Sequence, residues 1–177
     1  VGWPPSQRGR TSSRRRNRSG SGAEGSDTLT SIERFQFSDK GLAFDLGVGE
    51  AAGNTVRIIG AAFDANTIQQ YPDYVGIGLS LFDGGWSLQQ VCALALGTNL
   101  YLSLAGSTSN VDFVNTVFTN VVNRSPSTEE RDYFVGLLQD SGGSMTQAEL
   151  LMRAANADEN AVHINLVGLQ ASGVEFV

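Results

Sequence analysis

The chain has 177 residues, 41% apolar and 17% charged, with a formal net charge of −6. A single histidine and a single cysteine exclude a zinc site built from those residue types and any disulfide within the chain. They also leave His163 as the only imidazole for a Ser-His or Cys-His nucleophile, and no serine or cysteine is marked as its partner. Cys92 sits in the apolar run from Val91 to Leu96, so it reads as a small core residue.

The net charge averages two unlike segments. Residues 1–20 carry six arginines (Arg8, Arg10, Arg14, Arg15, Arg16 and Arg18) and no acid. The rest carries the other six basic residues and all 18 acids, a net charge of −12. Arg, Ser and Gly with few apolar residues predict a disordered tail over 1–20. The acidic body continues no phosphate track, so the tail reads as an unstructured end and nucleic acid is not the expected partner. No secretory leader is visible at the start. The longest apolar runs are about six residues, against about 20 for a membrane-spanning helix, so no membrane insertion is expected.

Residues 21–30 place Gly22, Gly25, Asp27 and Leu29 at the spacing of a glycine-rich nonapeptide that binds calcium in parallel β-rolls. Ala23 stands where that repeat prefers glycine, and a generic Gly/Ser loop fits the same residues. Asp27 and Gly25 are the candidate calcium residues, and one copy makes at most half of an ion site. Residues 31–46 then alternate. Ile32, Phe35 and Phe37 precede a turn at Ser38-Asp39-Lys40-Gly41, and Leu42, Phe44 and Leu46 follow it. Asp39 and Asp45 read as turn and surface carboxylates. Residues 22–46 resemble the segment that closes the roll in RTX-type (repeats-in-toxin, hemolysin-type) secreted proteins. That resemblance implies a calcium cofactor and a place outside the cell or at its surface.

Gly47-Val48-Gly49-Glu50-Ala51-Ala52 has the spacing of a dinucleotide fingerprint, but the chain turns helical after it, so a strand-to-helix linker is expected. From residue 53 the sequence repeats at an offset of 59. Asp73-Tyr74 returns as Asp132-Tyr133, Leu79 as Leu138, Gly84 as Gly143 and Ala95 as Ala154; Phe63/Val122 and Val91/Leu150 are similar pairs. Each unit reads as three helices. The first is apolar, clearest at Phe113, Val114, Val117, Phe118, Val121 and Val122. Capping boxes are expected at Ser127/Glu130, Ser87/Gln90 and Thr146/Glu149. Asp73, Asp132, Glu129 and Glu130 fall near helix starts, where they favour the macrodipole by about 0.3–1 kcal/mol each. Tyr74, Tyr133 and Phe134 read as core aromatics.

In unit two, Asp112-Phe113-Val114-Asn115, Asn123-Arg124-Ser125-Pro126, Asp132-Tyr133-Phe134-Val135 and Gly143 through Leu151 resemble a tandem helical domain of unknown function, the family numbered 4214, found in bacterial secreted proteins beside RTX repeats. The resemblance spans about residues 50–177, and unit one departs from the pattern at Asn66-Thr67-Ile68. It implies a helical bundle and a non-catalytic role, and it brings no active-site residue. Gly173-Val174-Glu175-Phe176-Val177 reads either as a type I secretion signal or as a short final strand.

The expected fold is mainly α. A two-unit helical bundle (50–177, units of about 53–110 and 111–177) follows a short β segment at the end of a calcium β-roll (21–46) and a disordered tail (1–20). The expected function is that of a non-catalytic C-terminal module of a bacterial secreted or surface RTX-type protein. It would aid type I secretion, calcium-assisted folding or surface interaction. The alternative is the end of a secreted enzyme whose catalytic domain lies upstream. No enzyme activity is expected of these residues, and type I secretion machinery is the expected partner.

Overall fold

The computed structural model describes residues 33–177. The expected tail and the candidate calcium residues Gly25 and Asp27 lie outside the described residues.

Two strands come first, β1 (Arg34–Gln36) and β2 (Gly41–Ala43). They pair antiparallel around the expected turn, with Phe35 opposite Leu42. The Phe37 N–H donates to the Lys40 carbonyl at 2.8 Å, and so short a connection joins antiparallel neighbours. The third strand, β3 (Val174–Phe176), comes from the far end of the chain and pairs antiparallel with β2, placing Gly41 opposite Phe176 and Ala43 opposite Val174. The short final strand read within Gly173–Val177 forms as β3. The described part of the expected roll segment is therefore an antiparallel sheet in the order β1-β2-β3. Gly41 is required there, because a methyl group on it would lie 2.3 Å from the Phe176 ring.

Asp45 corrects the surface reading. Its residue is 6% exposed. It accepts from the Arg34 guanidinium at 3.0 and 3.3 Å and from the Ala52 N–H at 3.2 Å. A carboxylate can be buried here because a cation and a free helix N–H both satisfy it.

That N–H opens α1 (Ala51–Phe63), in which 11 of 13 residues are buried. Around it lie α2 (Thr67–Gln70), α3 (Pro72–Asp83), α4 (Leu88–Leu96) and α5 (Asn99–Ala105). Unit two supplies α6 (Asn110–Val122), α7 (Thr128–Gly136), α8 (Gln147–Ala155) and α9 (Asp158–His163), and α10 (Leu166–Ser172) leads into β3. Helix α1 packs on α3, α6 and α8, and α4 packs on α8. The offset of 59 holds in the backbone: α1 and α4 return as α6 and α8 with both ends displaced by that number. All three capping boxes form. The offset fails between α3 and α7. Helix α2 occupies the divergent stretch of unit one, and α3 starts at Pro72, whereas α7 starts directly from its Ser127 cap. No helix of the described residues is long and apolar enough to cross a membrane.

The C-terminal strand is clamped on α3 through Gly76, where a methyl group would meet the Val177 carbonyl oxygen at 2.1 Å. Gly136, at the end of α7, has nothing within 4 Å of such a methyl group. Gly76→Ala should therefore lower the unfolding free energy in urea by about 1–3 kcal/mol through overpacking. Gly136→Ala should leave it unchanged or raise it by up to about 1 kcal/mol through helix propensity. Equal stability of the two variants would contradict the docking of β3 on α3.

Candidate functional site

Helix α6 turns one face to the core and another to solvent. Phe113, Val114, Val117 and Val121 are buried, while Phe118 and Val122 are only half-buried. The two half-buried residues face a cleft of about 580 Å³ walled by α6, α7 and α8. Helix α7 covers one side of it without burying a single residue of its own. Tyr133, expected in the core, is 63% exposed. Phe134 lies 6.0 Å from Phe118 between ring centroids, and Tyr133 lies 5.2 Å from Phe134, which lines part of the cleft with aromatic rings.

The start of α7 is fixed by polar contacts, while Phe134 and Val135 pack it on the core. Asn123 ends α6 in the left-handed conformation (φ 58°), and the chain then reaches the Ser127 cap. The Glu130 carboxylate accepts from the Ser127 N–H at 2.8 Å and from the Arg124 guanidinium at 2.6 and 2.8 Å. Arg124 also stacks over the Phe118 ring at 5.0 Å. Arg124, with the Ser127 N–H, holds the Glu130 carboxyl down to about 2.

Unit one carries the same cleft at the equivalent place, reduced to about 130 Å³. The residues explain the difference. Phe63, Ile77 and Thr98 become Val122, Gly136 and Ala157, which removes side-chain volume. Gly78 lets α3 lie against Thr55, since a methyl group there would be 2.5 Å from the threonine methyl. Leu137 takes the place of Gly78 in unit two and, like Val114, lines the larger cleft. At the mouth, Leu94 becomes Arg153.

A DUF4214 domain lies at residues 96–164. The family is described only as a domain of unknown function. No curated protein and no solved structure matches the chain. The DUF4214 match runs from the last residue of α4 to the residue after α9, so it contains every residue of the larger cleft. It is narrower than the span of about 50–177 expected from resemblance, and the helices of unit one before Leu96 lie outside it. There α2, which corresponds to residues 126–129 of unit two, and the close α1–α3 packing at Gly78 differ from the DUF4214 half.

The remaining chemistry-bearing residues are dispersed. Cys92 on α4 is fully buried, and burial pushes its thiol up to about 12. His163 ends α9, its Nε2 3.9 Å from an Asp64 carboxylate oxygen. Among the described residues no group of three or more His, Cys, Asp or Glu could hold a metal. Sequence reasoning missed Arg153 as a cleft residue. The signal was in the repeat itself, where Phe63/Val122 reads as a similar pair but differs by a ring.

The depressed Glu130 carboxyl gives a pH prediction. A folded value below the ordinary 4.5 stabilises the folded state above that pH, and the contribution is lost as pH falls toward about 2. Glu130→Gln keeps a capping side chain but loses the ion pair. Its melting temperature near neutral pH should be slightly lower than that of the parent, slightly because both partners reach solvent. The two melting curves should converge as pH falls from 4.5 to about 2. A difference that persists unchanged at the low end would show that the Arg124 pair is not its source.

Proposed function

We propose that the chain is a non-catalytic interaction module of a bacterial secreted or surface protein of the RTX type. The observation that carries the interaction role is the open apolar cleft within the DUF4214 residues. Its volume, about 580 Å³, falls in the ordinary range of ligand sites. The RTX, calcium and type I export parts of the reading rest on the sequence of residues 22–46 and on the divided charge. Calcium suits such a chain physically, because a net charge of −12 beyond residue 20 is self-repelling and a divalent cation screens it. With one glycine-rich copy, Gly25 and Asp27 supply too few ligands for tight binding. Among secretion, folding and surface interaction, the cleft favours interaction.

Circular dichroism and thermal melting of the whole chain, with and without millimolar calcium, test this choice. The expected result is a helical, cooperative melt that calcium leaves unchanged, with no tight stoichiometric site by calorimetry. A chain unfolded without calcium and helical with it would make the ion part of the fold and replace interaction by calcium-assisted folding.

A further inference from the structure

We propose that the cleft between α6, α7 and α8 binds an aliphatic carboxylate, its chain lying on Phe118, Val122 and Leu137 and its carboxylate on Arg153. The inference goes beyond the module reading and depends on neither calcium nor export.

The comparison of the two units carries it. Passing from the closed cleft to the open one, Phe63, Ile77 and Thr98 become Val122, Gly136 and Ala157, so the cavity widens. Thr55 and Thr98 become Val114 and Ala157, so two hydroxyl groups leave the lining. Leu94 becomes Arg153, so a cation enters at the mouth. These changes suit an amphiphile with an apolar body and an anionic end, whereas the change of Leu100 to Glu159 adds an acid to the lining.

The other charges near Arg153 are Arg124, Glu130 and Glu159 in the lining and Glu149 one turn before it on α8. Arg124 and Glu130 bind one another. Glu149 closes the Thr146 capping box, accepting from the Thr146 N–H at 2.7 Å. Glu159, in the first turn of α9, also lines the cleft. Arg153 is exposed, in the last turn of α8, and has no ion-pair partner within 4.0 Å among the described residues. A guanidinium held beside an apolar wall is suited to a carboxylate, which it can engage through two parallel N–H groups.

Isothermal titration calorimetry of the whole chain with dodecanoate and with dodecanol, both below their aggregation limits, tests the proposal. One saturable dodecanoate site is expected. Val122→Phe, which restores the residue of unit one, and Ala154→Phe fill the cleft from α6 and α8, and each should weaken binding by more than tenfold while the helical circular dichroism is kept. Should either fail to fold, the other carries the test. Arg153→Leu should weaken dodecanoate about tenfold, the worth of one charge-assisted contact of about 1.4 kcal/mol, and leave dodecanol unchanged. Absence of saturable binding would overturn the proposal. So would binding that is indifferent to both filling variants, or an Arg153→Leu effect equal for acid and alcohol.

Discussion

A helix with 11 of its 13 residues buried must be enclosed, and α1 is that helix. Val56, Ile58, Ile59 and Phe63 each contribute roughly 1.5–3 kcal/mol when removed from water, provided neighbours cover all sides. Glycine makes the enclosure tight. A methyl group at Gly53 would lie 2.1 Å from the Gly47 carbonyl oxygen, and one at Gly60 would lie 2.3 Å from the Ile164 methyl. Unit two completes the shell through polar anchors as well as packing. Asn120 on α6 donates to the Ala61 carbonyl at 3.1 Å, and the fully buried Asn160 on α9 donates to the Arg57 carbonyl at 3.0 Å. The sheet closes another side, because Asp45 accepts from the first turn of α1 while β3 rests on α3.

The repeat spent its two copies differently. In unit one the second helix is drawn in, with Gly78 against Thr55 and β3 over Gly76. In unit two the second helix has no fully buried residue and packs through the partly buried Phe134 and Val135, with the Arg124–Glu130 pair fixing its start. The same offset of 59 yields one half with a cleft of about 130 Å³ and one with a cleft of about 580 Å³.

Local signals were legible in the residues. Ser87/Gln90, Ser127/Glu130 and Thr146/Glu149 form their capping boxes because these depend on spacing alone. The hairpin at 34–43 was legible for the same reason, as was the mainly helical class. What escaped depends on contacts distant in sequence. No local pattern shows that Val174–Phe176 pairs with β2, or that Asp45 meets both Arg34 and Ala52. Tyr133 looked like Tyr74 in the repeat, yet it is exposed because α7 does not follow the course of α3. The cleft was hidden in size differences between paired residues, which a pattern of apolar and polar positions does not record.

The central claim is that both units share α1 as their core, although the DUF4214 match excludes it. Expressing residues 96–164 alone and following their melting by circular dichroism tests this most directly. The account predicts weak helicity and no cooperative transition, because α6, α8 and α9 lose the surface they pack on. A cooperative melt of the isolated segment, with the helix content of α5 to α9, would contradict it.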